Sequence, residues 1–123
     1  MEDFRFNFER LAVWQKAREL SKKIYDVTRT FPAEERYGLA LQLRRAVVSV
    51  ASNIAEGTGR RSIKDQIRFL EIAYGSLLEV CCQMQLGADT GFVSEENFSE
   101  CRERIREIGL MLNALRKSFE TRS

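Results

Sequence analysis

Side chains that could do chemistry lie close together in the middle of this chain. Arg45, Ser49, Ser52 and Glu56 follow one another at intervals of 4, 3 and 4 residues, which places them on one side of a helix. A carboxylate beside hydroxyl groups can act as a general base, and the same groups can instead form a hydrogen-bonded network between helices or subunits. The residues predicted to form such a structural polar network are Asn53, Glu56, Ser76 and Glu79.

No other group in the sequence is of a kind that would act with these carboxylates in catalysis. The chain contains no histidine, which removes the usual general base, the usual metal ligand and the Glu-x-x-His pairs of di-iron bundles. The common glycine-rich phosphate-binding motifs are also missing from the sequence. We therefore predict a protein that is not an enzyme, with no catalytic residue, no cofactor and no metal site.

A row of carboxylates near the C-terminus offers an alternative, a metal enzyme that holds magnesium. The row consists of Glu96, Glu100, Glu103 and Glu107. Arginines alternate with these glutamates, and Cys101, Ile105 and Ile108 mark a different face of the same segment as the buried one. This pattern favours a solvated helix face over a metal site.

The cysteines and the apolar runs indicate a compartment. Cys81, Cys82 and Cys101 are odd in number and form no C-x-x-C pair, so we expect reduced thiols in the core. No run of 18 apolar residues and no apolar signal-peptide core is visible. The sequence thus predicts a cytoplasmic protein with no membrane partner.

Positive charge is concentrated in one part of the chain, although the net charge is only +2. Between Arg36 and Arg68 the basic residues clearly outnumber the acidic ones, Glu56 and Asp65. Such a patch suits phosphate backbones, and it could equally be a solubility surface. The candidate nucleic-acid-binding residues are Arg44, Arg45, Arg60, Arg61, Lys64 and Arg68.

The elements that must position these residues are four helices. Apolar residues recur at alternating intervals of three and four, as in Ile105, Ile108, Leu112 and Leu115, which is the pattern of helices packed nearly parallel. The predicted helices cover about residues 8–31, 36–57, 63–87 and 95–120. Because the connections are short, we predict an all-α, antiparallel up-down-up-down four-helix bundle that forms a single domain over residues 1–123.

Local signals refine this picture. Ser62 and Ser94 are predicted helix caps, and Gly75 with Ser76 is predicted to let two helices approach closely. The termini, 1–6 and 120–123, are expected to fray. Trp14, Leu41 and Val48 lie outside the apolar stripe that would face the core, so the helices carry more apolar surface than a small monomer needs to bury. This excess predicts a closed homo-oligomer.

Several motifs together resemble a known family, the four-helix-bundle proteins encoded in 23S rRNA intervening sequences. These proteins are in turn similar to the accessory variability determinant of diversity-generating retroelements. The resemblance covers about residues 8–119, and Asn-Ile-Ala-Glu-Gly is its most specific motif. The motifs are Leu11-x-Val-Trp-Gln-Lys-Ala-x-x-Leu20, Phe31-Pro-x-x-Glu35, Tyr37-Gly-Leu39, Gln42-Leu-Arg-Arg45, Asn53-Ile-Ala-Glu-Gly57 and Gly75-Ser-x-x-Glu79.

The resemblance implies an up-down bundle that assembles as a ring, commonly a pentamer, without an established enzymatic activity. In the accessory determinant, a basic barrel binds nucleic acid and a reverse transcriptase. We therefore expect a non-enzymatic homopentamer that binds structured RNA or a ribonucleoprotein through repeated basic patches. The alternative is a protein-binding adaptor ring that docks a partner enzyme such as a reverse transcriptase.

Overall fold

Four helices account for most of the chain in the computed structural model, which describes residues 4–122. Two short 3-10 turns, at Asn7–Arg10 and Ala33–Glu35, precede the first and second helices. The fold confirms the predicted all-α, antiparallel up-down-up-down bundle. The helices are α1 (Ala12–Thr28), α2 (Leu39–Thr58), α3 (Ile63–Asp89) and α4 (Glu95–Glu120).

Each helix packs against its neighbours in the chain, and α4 returns to pack against α1. The most extensive of these contacts joins α2 and α3. The apolar residues of the predicted 3-4 repeats form the core, where Leu20, Leu43, Leu77 and Ile108 each have at most 1% of their surface exposed. Burying an apolar side chain of this size stabilises the fold by about 1.5–3 kcal/mol.

The first two helices begin later than their apolar periodicity predicts. Leu11 has an extended backbone, so the Asn7–Arg10 turn is separate from α1. The side-chain amide of Gln15 donates to the backbone oxygen of Glu9 at 2.6 Å and ties this turn to the helix. Of the termini expected to fray, Met1 to Asp3 and Ser123 lie outside the described residues, whereas the backbone N–H of Phe6 donates to Glu9 Oε1 at 3.0 Å.

Both predicted serine caps are confirmed. The Oγ of Ser62 accepts from the backbone N–H of Asp65 at 3.1 Å, and the Oγ of Ser94 accepts from that of Asn97 at 3.1 Å. Each serine satisfies one backbone donor that the first turn of a helix leaves without a partner. Within residues 4–122, no helix is both long enough and apolar enough to cross a membrane.

The close approach predicted at Gly75 is wrong. Gly75 is exposed, and a Cβ built there would have no atom within 4 Å. The tight contacts are at two other glycines. A Cβ on Gly57 would lie 3.0 Å from Phe69 Cβ, where α2 meets α3, and a Cβ on Gly87 would lie 2.7 Å from Cγ2 of the buried Val93.

These distances predict opposite effects of one substitution at two positions of α3. Gly87→Ala forces the new methyl group against Val93, whose β-branched side chain has little freedom to move, and should destabilise the protein by about 1–3 kcal/mol. Gly75→Ala is the matched control. It should be neutral or stabilise the protein by up to about 1 kcal/mol, because alanine is the better helix former. Equal midpoints of urea unfolding for the two variants would contradict the assigned contacts.

Candidate nucleic-acid interface

The connection between α2 and α3 carries four of the six predicted nucleic-acid-binding residues. Arg60 and Arg61 lie in the connection itself, and Lys64 and Arg68 lie in the first two turns of α3. All four side chains belong to exposed residues. The structure therefore brings these four together in one surface, which we call the basic turn.

Arg60 is the best-held member of the basic turn. Its guanidinium lies 4.6 Å from the centre of the Phe69 ring, and its Nη2 is 3.1 Å from Glu56 Oε1. The side-chain amide of Gln66 donates to the backbone oxygen of Arg60 at 2.9 Å and holds the connection. No ion pair to another described residue involves Arg61, Lys64 or Arg68, although Asp65 and Glu71 line the same surface cavity as Lys64 and Arg68.

The other two predicted residues, Arg44 and Arg45, lie apart from the basic turn, in the first half of α2. The Nε of Arg44 donates to the Oγ1 of the buried Thr28 at 2.8 Å, and its guanidinium lies 4.9 Å from the centre of the Tyr25 ring. Arg44 thus helps to hold α1 against α2. Arg45 is exposed and lines a groove between α2 and α3.

Charge is divided between the two ends of the bundle. The antiparallel order brings the start of α1 and α3 and the end of α2 and α4 to one end, called here the basic end. Among residues 4–122, its cations are Arg5, Arg10, Arg60, Arg61, Lys64, Arg68, Lys117 and Arg122, against the carboxylates Glu9, Glu56, Asp65 and Glu120. The opposite end carries Asp26, Glu34, Glu35, Asp89, Glu95 and Glu96, against Arg29 and Arg36.

The predicted polar network is present in part, and its centre is Ser49. The side-chain amide of Asn53 donates to the backbone oxygen of Ser49 at 2.8 Å and to its Oγ at 3.0 Å. The Oγ atoms of Ser49 and Ser76 are 2.8 Å apart and join α2 to α3. Glu56 is not a member, because it is paired with Arg60. Glu79 is exposed and has no hydrogen bond or ion pair to another described residue.

A groove of about 240 Å³ runs beside this network between α2 and α3. Gln83 lies in it with its Oε1 buried and without a hydrogen-bond donor among the described residues. A buried acceptor without a donor costs about 1–3 kcal/mol, so this position favours an incoming donor. The groove is lined by Gln42, Arg45, Ala46, Ser49, Ser76, Glu79 and Gln83.

Three of the four glutamates that could have held magnesium are paired with cations. Lys23 Nζ is 2.8 Å from Glu100 Oε2, and this hydrogen bond lowers the pKa of Glu100 and raises the pKa of Lys23. Glu107 pairs with Lys16 at 3.6 Å, whereas Glu103 pairs with Arg106 at 2.9 Å, and that hydrogen bond lowers the pKa of Glu103. Within the part of the chain that the structure describes, no cluster of acidic or cysteine side chains is arranged to hold a metal ion.

The three cysteines occupy three different environments, so the prediction that all of them are core thiols is wrong. Cys101 is fully buried, and burial raises the pKa of its thiol to about 11. Cys81 is half-buried, with Sγ 3.9 Å from Nη1 of Arg102. Cys82 is exposed, because one residue along a helix turns the side chain by about 100°.

A family model described as "23S rRNA-intervening sequence protein" matches residues 9–114. The chain belongs to this family. The fold also matches a solved structure from Bacteroides thetaiotaomicron, a protein with unknown function from the S23 ribosomal protein family. That match has a TM-score of 0.80 and 22% identity, and it covers 86% of this chain and 99% of the other. A comparison with curated proteins gives no match.

Two features of this family member go beyond what the sequence predicts. The sequence pattern places Ser49 on the correct face but does not predict that it links Asn53 to Ser76, although its spacing of four from Asn53 is a usable signal. The second feature is a row of exposed aromatic rings that precedes α1. The alternation of phenylalanine with polar residues from Phe4 to Phe8 was its visible sign.

The hydroxyl pair that links α2 to α3 can be tested by a double-mutant cycle. Ser49→Ala leaves the buried Ser76 hydroxyl without a partner and should cost about 1–3 kcal/mol. Ser76→Ala should cost less, since Ser49 keeps Asn53, and the double variant should show a coupling energy of about 1 kcal/mol in urea unfolding. Ser52→Ala, on the exposed side of α2, is the control and should lie within about 0.5 kcal/mol of wild type. Additive effects of the two substitutions would refute the link.

Proposed function

We propose that this family member is a non-enzymatic, oligomeric helical bundle that binds structured RNA, alone or in a ribonucleoprotein, through copies of its basic turn. The observation that carries the proposal is that the four cations of that turn differ in their contacts. Arg60 contacts Phe69 and Glu56, whereas Arg61, Lys64 and Arg68 form no ion pair with another described residue and face solvent. The connection itself is held by a hydrogen bond from Gln66. Cations presented in this way favour contact with phosphates over intramolecular pairing.

One copy of the basic turn would bind weakly, because three or four phosphate contacts at physiological salt supply little affinity. Copies placed around a ring would act together, because the second and later contacts become intramolecular. The proposal therefore includes a closed homo-oligomer, with the pentamer that the family resemblance implies as the expected form. Its compartment would be the cytoplasm, where the three free thiols stay reduced.

The outer face of α2 and α3 is the surface that we propose for assembly. On α3, Ile72, Glu79 and Leu86 are spaced by seven residues and therefore align along the helix, and the two apolar members are 39% and 49% exposed. On α2, Leu41 and Val48 have the same spacing, and Val48 is 42% exposed. Rows of this kind suit lengthwise packing against a helix of another copy.

Polar groups on the same face support contact between copies. Arg45 and Glu79 have opposite charges, both are exposed, and neither has an ion-pair partner within residues 4–122. The Oε1 of Gln83 has no donor among the described residues, and a neighbouring copy could supply one. A ring needs two different patches on each copy, so the α2 side of this face, with Arg45, would meet the α3 side of the next copy, with Glu79 and Gln83.

Assembly through this face predicts which substitutions dissociate the oligomer. Ile72→Lys and Leu86→Lys place a charge in the proposed interface and should lower the mass measured by light scattering. Because both side chains are exposed in the monomer, neither substitution should unfold it. Leu110→Lys on α4, where the leucine is 57% exposed, is the matched control and should keep the wild-type mass. A wild-type protein that is monomeric at tens of micromolar would rule out the ring.

Binding of RNA should depend on the basic turn and on salt. Charge reversal of Arg61, Lys64 and Arg68 to Glu should abolish retention of a structured RNA in a mobility-shift assay and leave the oligomer intact. The wild-type affinity should fall with salt by about 0.9 log units per log unit for each phosphate contact on a duplex. A control with the same change in net charge reverses Arg29, Arg36 and Arg102, which lie towards the other end of the bundle, and should bind nearly as well as wild type. Equal losses in the two triple variants would show only non-specific attraction.

The second candidate function, an adaptor that docks a partner enzyme such as a reverse transcriptase, is favoured by a different observation. Leu78 and Leu110 are 53% and 57% exposed, and they lie outside both the basic turn and the proposed assembly face. Exposed leucines on a ring are suitable contacts for a protein partner. If wild-type protein fails to retain structured RNA at about 50 mM salt, where phosphate contacts are strong, the adaptor replaces RNA binding as the proposed function.

A further inference from the structure

Four aromatic rings form a continuous row just before and within the start of α1. The rings of Phe4 and Phe6 meet edge to face with centres 5.0 Å apart, and those of Phe6 and Phe8 are parallel at 6.3 Å. Phe8 meets Trp14 edge to face at 4.9 Å. We call these four residues the aromatic row.

The inner part of the row is anchored and the outer part is open. Phe8 and Trp14 are half-buried, and Trp14 packs against the core. Phe4 and Phe6 are 74% and 61% exposed. Single exposed apolar residues are normal at a protein surface, but two rings in contact with each other and largely exposed form a patch.

The backbone holds the row in a defined position. Glu9 closes the 3-10 turn in both directions, because its carboxylate accepts from the backbone N–H of Phe6 at 3.0 Å and its own N–H donates to the Phe6 oxygen at 3.1 Å. The turn packs against both α1 and α2. The rings are therefore presented from an ordered segment, so a ligand would not have to order it on binding.

The row lies at the basic end of the bundle. It leads into the start of α1, beside the end of α2, from which the basic turn follows. The guanidinium of Arg18 lies 5.7 Å from the centre of the Trp14 ring, and the exposed Arg10 is the last residue of the 3-10 turn. Aromatic faces interleaved with cations are the combination that binds single-stranded nucleic acid, since bases stack on the rings while cations contact the phosphates.

We propose that the aromatic row is a stacking platform for unpaired bases of an RNA whose paired region contacts the basic turn. This assignment rests on the proposed function and adds a second part to the ligand, namely a single-stranded segment next to a helix. Stacking involves no reading of base edges, so the platform would accept any base. The positive charge of this end favours a polyanion as the ligand. A protein partner would not require aromatic rings, because exposed aliphatic side chains would suit it equally well.

The test compares two RNA probes, a blunt hairpin and the same hairpin with a tail of about five unpaired uridines. Wild-type protein should bind the tailed probe about tenfold more tightly than the blunt one, because stacked bases add affinity that phosphate contacts do not. The emission of Trp14, the only tryptophan, should change with the tailed probe alone. Binding is measured by mobility shift and the mass of each protein by light scattering.

The decisive variant is Phe4→Leu with Phe6→Leu, which keeps apolar side chains and removes the aromatic faces. It should bind the blunt hairpin as wild type does and lose the roughly tenfold advantage of the tail. Tyr37→Ala is the control, since this tyrosine is 83% exposed at the opposite end of the bundle and should change neither affinity.

Other results separate the two proposals. An equal advantage of the tail in wild type and in the double leucine variant, or no advantage in wild type, overturns the platform and leaves RNA binding by the basic turn in place. Absence of binding to either probe overturns both. A double variant with lowered mass, or with equally weakened binding of both probes, assigns the row to assembly or folding and also overturns the platform.

Discussion

The contact between Gly57 and Phe69 is the interaction on which the arrangement of this bundle most depends. Only a residue without a Cβ allows the end of α2 to come this close to α3, because a Cβ on Gly57 would lie 3.0 Å from that of Phe69. The contact fixes the distance between α2 and α3 at one end of their interface, which is the most extensive helix interface in the fold. It also places the Phe69 ring beneath the guanidinium of Arg60, so packing and the position of the basic turn have the same origin.

Pairing of charges decides which surface of the bundle attracts anions. Where α1 faces α4, cations and carboxylates neutralise one another, as in Lys23 with Glu100 and Arg104 with Glu19. Exposed pairs of this kind add little to stability, typically less than about 1 kcal/mol each. Their larger effect is on the local field, since they neutralise the α1–α4 face, whereas Arg61, Lys64 and Arg68 in the basic turn form no ion pair with another described residue. The net charge of +2 is therefore the sum of one end of the bundle where cations predominate and another where carboxylates predominate.

The polar residues within α2 serve packing between helices. A serine or asparagine in the middle of a helix competes with the backbone for hydrogen bonds, and its presence there needs a compensating partner. Asn53, Ser49 and Ser76 supply one another with such partners across the α2–α3 interface. Both hydroxyls and the amide N–H group of Asn53 take part in these hydrogen bonds.

The sequence by itself determined the four helices, their order and their buried faces, because a 3-4 apolar repeat and serine caps are local signals. It also carried the motifs of the 23S rRNA-intervening sequence family, which the match over residues 9–114 confirms. Periodicity fixes the direction of a side chain around its own helix but not the neighbour it meets. Only the tertiary structure could therefore move Arg44 to the α1–α2 contact. The Glu56–Arg60 pair is different, because residues four apart are neighbours and their spacing is a local signal. As with Arg44, only packing could show that the close approaches occur at Gly57 and Gly87, because the distance between two helices depends on side chains from both.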